Sequence, residues 1–139
     1  MTDFSHAEHI SPSLPPFFTM PVAAGFPVPV DDHLEGKLDL NKHLVKHPAA
    51  TFFVRAQGTS MINAGIQPGD LLIVDRSLQA TDGRIVVAVV DSEFTVKRLK
   101  RNAGKIVLMP ENPECVATVV DKESDARIWG VVTHVIKVV

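Results

Sequence analysis

The sequence predicts a mostly β protein, an antiparallel sandwich or partial barrel with one short helix and an extended N-terminal arm. Three observations carry that expectation. Seven short runs rich in Val, Ile, Phe or Thr follow one another between residues 51 and 139. Turn-forming clusters separate them. Six of the ten prolines fall in the first 30 residues. There they fix φ and remove N–H donors, which forbids a long helix or a central strand.

The elements follow in order. Residues 1–30 read as the arm and residues 31–139 as the body, whose regular structure begins near Leu34. The arm carries Phe17, Phe18, Met20, Val22, Phe26, Val28 and Val30, so it is more apolar than a pure linker needs to be. Asp39 is placed to cap a helix over Leu40–His47, which Pro48 ends. Strands are expected over Thr51–Ala56, Leu71–Asp75, Arg84–Val90, Phe94–Lys100, Lys105–Met109, Cys115–Val120 and Ile128–Val139. Between them lie Gln67-Pro68-Gly69-Asp70, Thr81-Asp82-Gly83, Asp91-Ser92-Glu93, Asn102-Ala103-Gly104 and Pro110-Glu111-Asn112-Pro113, all rich in turn formers. The last apolar run fits either a core strand or a dimer edge.

Composition excludes several classes. The chain has 139 residues and a net charge of −2, too few cations to bind nucleic acid strongly over its whole surface. Cys115 is the only cysteine, which excludes an intramolecular disulfide and Cys-rich metal or redox motifs. No run of 18 apolar residues could span a membrane as a helix. Val22-Ala23-Ala24 has the small residues of a secretory cleavage site. However, no Lys or Arg precedes Lys37, and prolines interrupt the apolar run.

Three places could carry chemistry. Gly58-Thr59-Ser60-Met61 follows a strand directly, so the Ser60 hydroxyl can sit on a tight loop beside free backbone N–H groups. A turn serine that only satisfies local backbone is the plainer reading of an isolated Gly-x-Ser. Lys97 shares a strand face with Thr95 and Leu99. Free lysine is neutral only about once in 2,500 molecules at neutral pH. Burial that lowers its pKa by ~3 units, at a cost of ~4 kcal/mol, makes it a usable base. The plainer reading is a solvated strand lysine beside Arg98, Lys100, Arg101 and Lys105. Ala24-Gly25 lacks bulk, as a scissile bond in a narrow cleft requires, and Val22, Phe26 and Val28 could fill side pockets. The plainer reading there is a hinge. His43 and His47, four residues apart on the expected helix, could share a metal, but no third ligand is evident and no metal is expected. Asp70 and Asp75 are accounted for as turn residues, and His134 as a core or edge histidine. With no Tyr and a single Trp129, there is no base-stacking platform.

Taken together, these places say more than each does alone. Ala24-Gly25, Ser60 and Lys97 occur in that order, 35 and 37 residues apart. With Asp39-Leu40-Asn41, His47-Pro48-Ala49-Ala50-Thr51, Gly69 to Asp75 and Glu93 to Lys97, they resemble the LexA/UmuD family of self-cleaving Ser-Lys peptidases. The resemblance covers nearly all of residues 20–139. Two positions depart from it. Family members commonly have Gly-Asp-Ser-Met where this chain has Thr59, and many of the UmuD branch have Cys where it has Ala24. Ala-Gly is the pair used by the LexA-type repressors, so cleavability is kept.

The resemblance implies the family's C-terminal-type antiparallel β fold and a cytoplasmic SOS-response peptidase with no cofactor. Ser60 would attack the carbonyl carbon of Ala24, neutral Lys97 would take its proton, and N–H groups around Gly58, Ser60 and Met61 would support the oxyanion. A RecA filament on single-stranded DNA would favour the cleavable pose, as a population shift. The product, residues 25–139, would form a homodimer and join the UmuC subunit in translesion DNA polymerase V. The 35 residues from Gly25 to Ser60, about 115 Å if extended, allow cleavage within a subunit or across a dimer. A LexA-type repressor is not expected, because the 24 residues before the cut hold no Lys or Arg and several prolines. A membrane signal peptidase lacks its span here. The remaining alternative is a non-catalytic polymerase-binding module whose arm docks and undocks uncut.

Overall fold

A computed structural model describes residues 14–18, 24–25, 34–121 and 125–139. Met20, Val22, Phe26, Val28 and Val30 of the arm lie outside the described residues. Two units divide between His43 and Leu44.

In the first unit, β1 (Pro16–Phe18) pairs antiparallel with β2 (Leu34–Lys37), and the Leu38 N–H donates to the Pro15 carbonyl at 2.9 Å. A two-stranded ribbon is all edge, so Pro16 costs it no central ladder bond. The helix α1 begins as expected at Leu40. Asp39 caps it through the Lys42 N–H, 3.3 Å from Oδ1. It ends at Leu44 rather than running to His47. β-branched Val45 weakens the next turn, and the residue before Pro48 is forced out of helical geometry, with His47 at φ −129° and ψ 80°.

The second unit is a seven-stranded antiparallel sheet in the order β3-β4-β9-β5-β6-β7-β8. Its strands are β3 (Thr51–Arg55), β4 (Leu71–Asp75), β5 (Ile85–Val90), β6 (Glu93–Asn102), β7 (Lys105–Met109), β8 (Thr118–Val120) and β9 (Ala126–Ile136). All seven expected strands are present. The largest shifts are three residues: β9 ends at Ile136 rather than Val139, and β8 starts late because Cys115 closes a turn onto the Asn112 carbonyl at 3.0 Å. The long apolar run of β9 is a central strand, paired with β4 and β5.

The sheet curls, so β4 and β5 are buried on both faces and read as unbroken apolar runs. One core cluster holds Ala56, Met61, Ile66, Leu72, Val74, Val87 and Val132. The other holds Val86, Ala88, Leu99, Leu108 and Val131. Each buried large side chain contributes roughly 1.5–3 kcal/mol of transfer free energy.

Two hairpins fix the register of β6, whose face carries Lys97. Asp91 (φ 51°) and Ser92 (φ 66°) form a two-residue loop between β5 and β6. Ala103 (φ 50°) and Gly104 (φ 79°) form another between β6 and β7. Both have the mirror-image turn geometry that suits twisted strands. Ala103 is strained there, since an L-residue with a plain Cβ loses roughly 1–2 kcal/mol in this region. Ala103→Asn is therefore expected to stabilise the protein by about 0.5–1 kcal/mol, read as a higher urea midpoint at unchanged slope.

Candidate active site

The loop from Gln57 to Gly69 leaves the end of β3 and returns to the start of β4. Its neck is closed by Ala56 N–H to the Asp70 carbonyl (2.8 Å) and Gly69 N–H to the Ala56 carbonyl (2.9 Å). Asp70, itself buried, accepts the Gln67 N–H at 2.8 Å and pairs with Lys137. Those two donors hold its carboxyl below the usual aspartate range against the opposing effect of burial. Within the loop, Met61 is 3% exposed and anchors it in the core. Gly58 sits at φ +76°, a conformation that favours glycine, and turns the chain from strand to loop.

Ser60 is half-buried on this loop. Its Oγ lies 3.0 Å from Lys97 Nζ, although the two residues stand 37 apart in the chain. Lys97 comes from the middle of β6 and also donates to Thr95 Oγ1 at 2.7 Å and to the Val96 carbonyl at 3.2 Å. Burial pushes the Lys97 pKa below the ordinary lysine value, against an opposing charge effect of Cys115. Among the described residues, the backbone N–H groups of Thr59, Ser60 and Met61 donate to no acceptor. A serine hydroxyl, a lysine of lowered pKa and backbone N–H groups without an acceptor among the described residues therefore lie close together.

A cleft of about 300 Å³ opens beside Ser60. Val54, Ala56, Ile66, Val87 and Phe94 give it apolar walls, and Gln57, Gly58 and Thr95 give it polar ones. Phe94 is 64% exposed and stacks edge-on against Trp129, with centroids 5.2 Å apart. Trp129 also packs against Phe52 and lies under the Arg76 guanidinium at 4.6 Å.

Of the residues singled out in the sequence, Gly58, Ser60, Met61 and Lys97 come together here. Ala24 and Gly25, in the first unit, form an exposed bend. His43 and His47 do not form a pair of metal ligands. His47 Nδ1 instead lies 2.5 Å from the buried Asp75 carboxylate. Burial raises the Asp75 pKa, but the Ser77 hydroxyl and N–H together with His47 outweigh it and leave the carboxyl below its ordinary value. No cluster of three or more metal-ligating side chains occurs among the described residues. None of their helices is long and apolar enough to cross a membrane.

The Peptidase S24-like family model matches residues 16–133, so the class of protein is a serine peptidase. Protein MucA of Escherichia coli is 44% identical over 120 residues, covering 86% of this chain and 82% of that protein. Protein ImpA of Salmonella typhimurium is 47% identical over 122 residues, covering 87% and 82%. The LexA repressor of Erwinia tasmaniensis is 43% identical over 117 residues, covering 84% of this chain and 57% of the repressor. The chain belongs to the Peptidase S24-like family, among its UmuD-like members.

Proposed function

We propose that the chain is its own substrate and that Ser60 and Lys97 cut it between Ala24 and Gly25. The observation that carries this reading is the 3.0 Å contact between Ser60 Oγ and a lysine whose pKa burial has lowered. Neutral Lys97 takes the Ser60 proton as Oγ bonds to the Ala24 carbonyl carbon. The C–N bond then breaks, and the Gly25 amine leaves with the proton that Lys97 holds. Water attacks the resulting ester, with Lys97 again as base, and frees Ser60. The free N–H groups beside Ser60 meet the negative oxygen of each tetrahedral intermediate.

The same reading places the protein in the cytoplasmic SOS response, with the arm of residues 1–30 as substrate and residues 31–139 as the peptidase and dimerisation domain. A RecA filament on single-stranded DNA favours the cleavable pose without adding catalytic groups. The cut homodimer, residues 25–139, joins UmuC in translesion DNA polymerase V. Support for this assignment comes from kinship with MucA and ImpA and with a LexA repressor.

The test is to incubate the full chain with RecA, single-stranded DNA and a non-hydrolysable nucleotide, and to read intact masses. A fragment beginning at Gly25 is expected. An uncut chain, with the same RecA active on a LexA repressor, would leave a polymerase-binding module whose arm docks without cleavage.

A further inference from the structure

The sequence marks Pro110-Glu111-Asn112-Pro113 only as a turn, and the peptidase reading assigns it nothing. Yet this turn lies against the nucleophile loop at three points. Asn112 Nδ2 donates to the Thr59 carbonyl at 3.0 Å. The Glu111 N–H donates to the Ser60 carbonyl at 2.8 Å, and the Asn63 N–H donates back to the Glu111 carbonyl at 2.9 Å. The turn is itself held. Asn112 Oδ1 accepts the Glu114 N–H at 3.0 Å, and the Glu111 carboxylate pairs with Arg98, whose Nη1 reaches the Gly83 carbonyl at 2.6 Å.

The two carbonyls gripped by the turn matter because of the peptide units they belong to. A trans peptide unit is planar, with its C=O and N–H pointing in opposite directions. The Thr59 carbonyl shares its plane with the Ser60 N–H, and the Ser60 carbonyl shares its plane with the Met61 N–H. Fixing each carbonyl from the side of the 110–112 turn turns the matching N–H away from that turn. Both of these N–H groups are free among the described residues. Donors aimed in advance at a developing oxyanion are worth most when they need no reorganisation.

We propose that Asn112, with the Glu111 backbone, is a positioning residue that orients the oxyanion donors beside Ser60. This rests on the reading of Ser60 as the nucleophile. It also accounts for Thr59 at a position where the family commonly has Asp. The clamp holds the backbone carbonyl, and the Thr59 side chain is exposed and has no part in it.

Asn112→Asp tests the clamp with little change in shape. The carboxylate still accepts the Glu114 N–H, but it can no longer donate to the Thr59 carbonyl. Cleavage at Ala24–Gly25 is expected to slow roughly 10–100-fold at every pH, because donors are misaligned rather than removed. The added carboxylate can only raise the inflection of the pH–rate curve, so the uncharged Asn112→Ala, which also loses the donor, is run beside it and is expected to show a comparable rate loss with the inflection at its wild-type position. The ¹⁵N relaxation of the Ser60 and Met61 amides is expected to show new exchange broadening. Wild-type cleavage rate, or a rate loss wholly explained by a fall in the thermal midpoint, would overturn the clamp. If the wild-type chain does not cut itself, the peptidase reading fails. The relaxation of the two amides then decides the clamp alone, and unchanged signals in Asn112→Asp would overturn it.

Discussion

Ser60→Ala and Lys97→Ala are each expected to leave the chain uncut at Ala24–Gly25, a rate loss of at least about 10⁴-fold. The reason lies in how little else in the site could substitute. Ser60 Oγ is the hydroxyl within 3.0 Å of Lys97 that also stands on the loop with the free N–H groups. Thr95 Oγ1 is closer to Lys97, at 2.7 Å, but lies on β6 rather than on that loop. Alanine at 60 removes one acceptor from Lys97 and keeps the other two, Thr95 Oγ1 and the Val96 carbonyl, so the strand keeps its order. The loop itself is held through backbone bonds at its neck and by buried Met61, none of which uses the Ser60 hydroxyl. Circular dichroism and the thermal midpoint should therefore stay close to wild type in Ser60→Ala. The double variant is expected to be no worse than either single one, because two residues that act as one unit lose their effect together. Intact mass after incubation with the RecA filament reads the result. A Gly25 fragment from Ser60→Ala at more than a trace would sink the assignment.

Much of this site is legible in the sequence, for physical reasons. Strand alternation alone puts Thr95, Lys97 and Leu99 on one face. The fold buries Leu99 fully, half-buries the other two and joins Thr95 to Lys97 by a hydrogen bond. The Gly58 turn and the neighbouring strand are local signals, so the position of Ser60 at a strand end follows from residues next to it. The meeting of Ser60 with Lys97 is not local. It depends on the order β3-β4-β9-β5-β6, in which the long C-terminal strand inserts between two hairpins. Single-strand patterning does not encode that insertion, which is why the last apolar run fitted a core strand and a dimer edge equally well. The His47–Asp75 contact was hidden for a similar reason. Its partners are 28 residues apart, and the helix that would have carried His43 and His47 on one face ends before His47. Asn112 was hidden because its value lies in which carbonyl it reaches, 53 residues away. A turn signature carries no trace of that.

The cleavage rate is expected to climb roughly tenfold per pH unit below the lowered Lys97 pKa, and to level off above it. The sign follows from the chemistry. Only neutral Lys97 can take the Ser60 proton, and the neutral fraction grows tenfold per unit until the group is mostly deprotonated. Burial, opposed by Cys115, puts that point below the ordinary lysine value, so the plateau arrives sooner than a solvated lysine would allow. Across two units on the rising limb the change is roughly 100-fold. Stability moves in the same direction. A lysine whose folded pKa lies below its unfolded value binds fewer protons when folded, so the unfolded state gains more from acid. The cost is complete below the folded pKa and vanishes above about 10.4, where both states are neutral. Rate and stability thus rise together with pH, and the same half-buried ammonium limits both. Lys97→Arg separates this cause from a general loosening of the arm at high pH. Its guanidinium stays charged throughout the range, so the variant is expected to remain uncut at every pH. Rates from mass spectrometry across the pH series, for wild type and Lys97→Arg, decide it. A flat wild-type profile, or a Lys97→Arg chain that begins to cut as pH rises, would mean that Lys97 is not the base.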